Sequence, residues 1–311
     1  SRNTDGSRRK RTDRRPATRS SDDSAWAEPS VRTIVKLVYL GTPDMAVPPL
    51  RALVEAGHDV VLVVTRGDKR RGRGGGVTPS PVKAAALELG VPVSHEVDDV
   101  LTAVRDDGAE LGVVVAFGQI IKPHVLDEIP MVNLHFSLLP RWRGAAPVER
   151  ALLAGDRVTG VCVMALEEGL DTGGVYARRE VPIDAETTAA ELRAELVRVG
   201  ASLLVDTLDR PLDTWIDEPE PQVGEVTYAS KFASPDFEID WSLGPDAVHR
   251  LIRVGGAWTT FRGKRLKINE ARLVDGRVVP LTVQPEGKPS MPFDAWRNGA
   301  RPAPDELFGD L

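Results

Sequence analysis

The sequence predicts an α/β fold, a Rossmann-like parallel sheet, followed by a small β-barrel of the OB-like kind. Three observations carry that prediction. Uninterrupted Val/Ile/Leu runs recur between helical stretches through the first two-thirds of the chain, as in parallel strands buried on both faces. An acidic, proline-rich run, Asp217-Glu218-Pro219-Glu220-Pro221-Gln222, then breaks the pattern. Beyond it the apolar segments are short and separated by glycine and proline turns, as in small barrels.

Each element has a local reason. Residues 35–40 (Val-Lys-Leu-Val-Tyr-Leu) read as a strand, and Gly41-Thr42-Pro43 as the turn after it. Asp44 is expected to cap a helix over 46–56, which Gly57 ends. Residues 60–64 form a second buried strand. Ser80-Pro81 supplies a cap and a first-turn proline for a helix over 82–89, closed by Gly90. Strands follow at 111–116, 131–136 and 160–164, and a long helix over 189–208 closes this part. Past the acidic run, 259–261, 265–268 and 278–283 read as short strands. The domain plan is a disordered basic leader over 1–33, an α/β domain over 34–214, a linker over 215–224 and a C-terminal domain over 225–311.

Composition removes whole classes of function. The chain has 311 residues, 41% of them hydrophobic and 28% charged, which suits a water-soluble globular protein with a substantial core. No window approaches the roughly 18 apolar residues of a membrane span. The single cysteine, Cys162, excludes an intramolecular disulfide scaffold and a zinc–thiolate cluster. A reducing cytoplasm is therefore the expected compartment. The five histidines, at 58, 95, 124, 135 and 249, lack metal-binding spacing, so no metal is expected. There is no G-x-G-x-x-G after the first strand, no P-loop lysine and no nucleophile elbow.

Charge is uneven. Residues 1–30 hold eight Arg/Lys and five Asp/Glu, net +3, so the remainder carries −6 − 3 = −9. The leader lacks the apolar core of a secretory signal. It reads as an unstructured leader, a start site placed too early, or a basic arm that touches nucleic acid. Any nucleic-acid contact elsewhere needs local basic patches on an acidic body.

The candidate site lies in Asn133-Leu134-His135-Phe136-Ser137-Leu138-Leu139-Pro140-Arg141-Trp142-Arg143-Gly144. On a strand, Asn133, His135 and Ser137 share one face. The strand's C-terminal end is where open α/β sheets bind ligands. Asp171, in Glu168-Gly169-Leu170-Asp171-Thr172-Gly173-Gly174, sits in a loop after the next strand, within reach of His135. By spacing alone, a strand-end His is as readily a satisfied core residue, and an Asp between glycines a turn residue. If the three act together they suit acyl transfer. Asn133 donates to an oxyanion, His135 stabilises it or shuttles a proton, and Asp171 orients the imidazole. Cys162, inside an apolar strand, is no nucleophile.

These residues carry a resemblance. Asn-x-His-x-Ser-Leu-Leu-Pro, Arg-Trp-Arg-Gly-Ala-Ala-Pro and Gly-x-Asp-Thr-Gly resemble the 10-formyltetrahydrofolate-dependent formyltransferases. The Leu40-Gly41-Thr42-Pro43 turn, the Thr78-Pro79-Ser80-Pro81-Val82-Lys83 run, Tyr228-Ala229-x-Lys231 and Asp240-Trp241 are similar to the branch acting on methionyl-tRNA. The match spans about 36–299. The resemblance implies a formyl donor, 10-formyltetrahydrofolate, and an acceptor, the α-amino group of initiator methionyl-tRNA, in a monomeric enzyme. It implies catalytic roles for Asn133, His135 and Asp171, and a folate site lined by Ser137, Leu138, Leu139 and Pro140. A formyltransferase acting on an amino-sugar nucleotide is the alternative.

Two basic patches fit the tRNA. Residues 66–83 hold six Arg/Lys against Asp68, net +5, and 250–277 hold eight against Glu270 and Asp275, net +6. Arg70, Arg73 and Lys83 in the first, and Arg262, Lys264 and Arg265 in the second, are the expected phosphate contacts. The glycines over 72–76 are expected to keep that loop from regular structure. Only 274–280 separates Leu273 from Leu281, where the family usually has about two more strands. That implies a trimmed or incompletely closed barrel.

Overall fold

The computed structural model describes residues 33–71, 76–303 and 306. The leader lies outside them. Residues from Thr33 onward form one compact unit.

In chain order, β1 (Lys36–Gly41) leads through a short 3-10 turn into α1 (Val47–Glu55), and β2 (Asp59–Val64) follows. A small ribbon of β3 (Lys69–Arg71) and β4 (Gly76–Thr78) precedes α2 (Pro81–Glu88) and β5 (Val93–Ser94). Then come α3 (Asp99–Thr102), β6 (Leu111–Val115), α4 (Pro123–Leu126), β7 (Met131–His135), β8 (Arg143–Gly144) and α5 (Pro147–Ala154). The α/β part ends with β9 (Val158–Ala165), β10 (Val175–Pro182) and α6 (Ala189–Leu208). The C-terminal part holds β11 (Tyr228–Ala229), α7 (Pro245–Val254), β12 (Trp258–Phe261), β13 (Lys264–Val274), β14 (Arg277–Pro285), β15 (Met291–Pro292) and α8 (Phe293–Ala300).

The main sheet has the order β10-β9-β7-β6-β1-β2-β5. Strands β7, β6, β1, β2 and β5 are parallel. The chain reverses its direction of growth at β1, the place where such sheets open a ligand crevice. The apolar runs serve two layers at once. In β1, Leu37 and Tyr39 join the core under α1 and α6, while Val38 and Leu40 join the core on the other face. The parallel expectation needs one correction: β9 runs antiparallel to β7, and β10 to β9. An apolar run reads the same in either direction, so its residues carry no sign of polarity.

Local signals differ in accuracy. Ser80 caps α2 as expected, accepting from the Lys83 backbone N–H at 3.1 Å. Thr188 and Glu191 form a full capping box on α6. Asp44 caps nothing with its side chain; it lies inside the 3-10 turn that delays α1. The ribbon β3–β4 pairs Lys69, Arg70 and Arg71 antiparallel with Thr78, Val77 and Gly76, so Gly76 lies in a strand, against expectation, while residues 72–75 lie outside the described residues.

The C-terminal part is a four-stranded antiparallel sheet, β12-β13-β14-β15. Among the described residues no pairing joins β12 to β15, so the expected barrel is an open sheet. β13 and β14 connect directly through Asp275 and Gly276, at φ 49° and 71°. That is the left-handed pair a tight hairpin needs. Helices α7 and α8 close the apolar face with Val248, Ile252 and Trp296. α7 also docks on the α/β part: Arg250 donates to the Leu153 carbonyl at 3.1 Å and Arg253 to that of Thr187 at 2.9 Å.

Residues 215–224, expected as a linker, are tied down. Trp215 is buried edge-on against Tyr176, with ring centroids 4.8 Å apart. Glu220 exchanges backbone bonds with Val175, at 2.7 and 3.0 Å.

Candidate active site

β7 lies between β6 and β9, so both its edges are hydrogen-bonded and its C-terminal end is held in place. Asn133 and His135 leave it on one face. His135 is 5% exposed. Its Nε2 lies 3.0 Å from the Trp142 carbonyl. A carbonyl only accepts, so this nitrogen carries a hydrogen. Nδ1 faces Asp171 Oδ2 at 3.7 Å.

Asp171 is brought there by the loop joining β9 to β10. It sits at φ 50°, and its Oδ2 accepts from the Gly144 backbone N–H at 2.7 Å. Two glycines make this approach feasible. A Cβ on Gly173 would stand 2.0 Å from the Ala165 carbonyl oxygen, and one on Gly144 (φ 113°) would stand 3.0 Å from that of Ala229. Asn133, His135 and Asp171 line a single cavity of about 670 Å³. They therefore converge, as the spacing suggested.

Other expected residues fall elsewhere. Ser137 is fully buried and donates from Oγ to the Arg141 carbonyl at 2.6 Å. Leu139 packs with Cys162, Met164 and Val175. Neither these two nor Leu138 and Pro140 line the cavity. They brace the loop behind it. The walls are instead Phe117, Ile120, Ile121, Leu126 and Leu166 on one side, with the Glu149–Arg193 pair and Lys231 on another.

The loop that presents the Trp142 carbonyl is itself pinned. Asp156 accepts from Arg141 at 2.9 and 2.6 Å and from the Trp142 indole N–H at 2.8 Å. The hydrogen bond to Asp156 holds the Arg141 guanidinium above its ordinary range. Burial pushes the Cys162 thiol up, which agrees with an inert cysteine. Sequence reasoning missed three contributors. Trp142 acts by its carbonyl, Thr227 accepts from the Trp142 N–H at 2.9 Å, and Gln222 bonds to the Asp171 loop. A backbone carbonyl has no sequence signal, and Gln222 is hidden in a run that reads as linker.

The cationic candidates divide. Arg73 and the Arg70 side chain lie outside the described residues. Lys83 is paired with Asp68 at 2.7 Å and lies 3.5 Å from His95 Nε2. Arg262 binds Glu306 through Nε and Nη2 and the Ala300 carbonyl through Nη1. Arg265 lies over the Trp258 ring at 3.8 Å, and Lys264 is exposed at the start of β13.

The sequence matches the Formyl transferase family over residues 35–208. A methionyl-tRNA formyltransferase of Heliobacterium modesticaldum is 45% identical over 249 residues, 77% of this chain and 78% of that protein. Another, from a Jannaschia species, is 42% identical over 302 residues, covering 88% of this chain and all of that one. The chain belongs to the methionyl-tRNA formyltransferase family. The solved structure of a methionyl-tRNA formyltransferase from Clostridium thermocellum shares its fold, with a TM-score of 0.55 at 15% identity over 81% of this chain and 99% of that one. Family membership accounts for the second part of the chain as well as the first, since the Jannaschia relative aligns over its full length. Among the described residues no helix is long and apolar enough to cross a membrane.

Proposed function

We infer that Asn133, His135 and Asp171 carry out the reaction of this family, formyl transfer from 10-formyltetrahydrofolate to the α-amino group of initiator methionyl-tRNA. The observation that supports it best is the setting of His135, between a carbonyl acceptor at 3.0 Å and a carboxylate at 3.7 Å on the wall of one cavity. The 3.7 Å separation exceeds a hydrogen bond of roughly 2.7–3.2 Å. Nδ1 is thus left for the substrate: it can take up the amine's proton, and once it holds that proton Asp171 supplies the compensating charge.

The acceptor amine must be neutral to attack. A free α-amino group titrates at about 7.7–8.0, and a neighbouring ester lowers that, so no strong base is required near pH 8. The amine nitrogen bonds to the formyl carbon, and the bond from that carbon to the folate nitrogen breaks. Asn133 and His135 hold the negative charge that develops on the formyl oxygen between those events. The amine's proton leaves through His135, or through water beside Asp171, to the departing nitrogen. The apolar walls at Phe117, Ile121 and Leu166 suit a flat, weakly polar ring system such as the donor's, with the acceptor entering from the Lys231 side. The reading includes a monomer, since one chain supplies all three residues, and places it in the cytoplasm, the reducing compartment that a single buried cysteine suits.

A turnover assay with the formyl donor and charged initiator tRNA tests this directly. Formylated methionyl-tRNA is the expected product. Turnover on an amino-sugar nucleotide, with none on charged tRNA, would overturn the assignment of acceptor.

A further inference from the structure

We propose that Gln222 is a positioning residue that sets where Asp171 stands relative to His135, a role that rests on the catalytic reading of those two residues. Its side chain is half-buried and uses its whole hydrogen-bonding capacity. Nε2 donates to the Asp171 carbonyl at 2.8 Å and to the Gly173 carbonyl at 2.7 Å. Oε1 accepts from Arg143 Nε at 3.0 Å and Nη2 at 2.7 Å. Both donors and both acceptor sites are taken, and a flipped amide would face acceptors with its acceptor and donors with its donors. The orientation is therefore determined by the neighbours.

The two ends of this amide hold the two loops that make the His135–Asp171 pair. One is the β9–β10 loop, whose Asp171 backbone is in the left-handed region. The other is the 141–144 loop, which carries both the Trp142 carbonyl on His135 and the Gly144 N–H on Asp171. Glu220 anchors the approaching chain to Val175. Tyr228 and Ala229 of β11 pair in parallel with Arg143 and Gly144 of β8. Gln222 is the side chain between these backbone ties. Its donors neutralise two carbonyls that converge because of the turn at Asp171. Without them the carbonyls repel, and the carboxylate shifts from Nδ1.

The test is Gln222→Met, which keeps length and shape and removes every hydrogen bond. A misplacement approaching an ångström costs up to about a hundredfold in rate, so kcat should fall by about tenfold or more. The Michaelis constants for donor and charged tRNA, and the melting temperature, should stay near wild type. In an Asp171→Asn background the same change should cost little more. Gln222→Glu keeps the acceptor for Arg143 and replaces the donors with an acceptor. Its kcat should also fall, and recover in part as pH is lowered and the carboxyl regains a hydrogen to donate. The proposal is overturned if Gln222→Met keeps kcat within twofold, or loses equally in the Asp171→Asn background. A loss appearing only in a Michaelis constant or in melting temperature overturns it too. Should Gln222→Met not fold, a pH-independent loss in Gln222→Glu overturns it. If Asp171→Asn is itself fully active, the catalytic reading fails, whatever Gln222 does.

Discussion

At the end of β7 the polar groups around the His135–Asp171 pair have assigned partners. His135 has Trp142 and Asp171, Asp171 has Gly144, and Trp142 is held by Asp156 and Thr227. At the start of β13 in the C-terminal sheet, Lys264 stands exposed and Arg265 rests on the Trp258 ring. The contrast follows from what each region handles under the proposed function. A developing charge in a cavity is stabilised by dipoles already in place, because reorienting them during reaction costs energy. A polyphosphate chain is gripped by exposed cations that release its counterions on binding, which tolerates loose geometry. Arg262 shows that net charge does not distinguish the two uses. It counts toward the +6 of its segment, yet it is engaged by Glu306 and the Ala300 carbonyl.

The largest test of this contrast is Asn133→Ala. Removing one preorganised donor should lower kcat on the order of 10²–10³-fold, about 2.7–4 kcal/mol, with donor binding largely kept. Single-turnover kinetics would show it, and a loss of only a few-fold would make Asn133 structural. Next is the first basic patch. Arg70→Ala combined with Arg73→Ala should raise the Michaelis constant for charged tRNA. It should also flatten the plot of log affinity against log salt by ~0.7–0.9 for each phosphate no longer neutralised. An unchanged slope would make this loop a solvated surface feature.

A smaller effect divides the second patch from within. Lys264→Ala should flatten the salt slope by the share of one phosphate, ~0.7–0.9, and leave melting temperature alone. Arg262→Ala should do the opposite, lowering melting temperature slightly with little change in slope, because its guanidinium holds Glu306 and Ala300. If both flatten the slope equally, the distinction between paired and free cations fails.

The smallest effect concerns the wall behind the site. Burial, with Asp217 and Glu167 nearby, pushes the Tyr176 phenol up to about 12 from 10.0. A folded value above the unfolded one favours the protonated form. The associated stability is therefore complete below pH 10 and lost as pH rises toward 12. Tyr176→Phe should remove one high-pH step from the phenolate absorbance titration of the folded protein. A titration unchanged by the substitution would show that this phenol does not titrate there.

The sequence by itself determined the layered α/β part, because continuous apolar strands and capped amphipathic helices are local patterns with local causes. It also put Asn133 and His135 on one face through the two-residue period of a strand, while the close approach of Asp171, allowed by Gly173 and Gly144, came from the structure. Other features came only from tertiary structure. Strand direction in β9 and β10 depends on which neighbour the chain returns to, and apolar residues do not encode it. The helices over 147–154 and 245–254 are short, and their apolar residues enter different cores, Val148, Ala151 and Leu152 that of the α/β part and Val248, Leu251 and Ile252 that of the C-terminal sheet. The pairings of Lys83 with Asp68 and of Arg262 with Glu306 and the tie made by Gln222 join residues distant in sequence, and the Trp142 carbonyl meets His135 across a folded loop. Such bonds exist only once the backbone has brought their ends within about 3 Å, so composition and spacing could not reveal them.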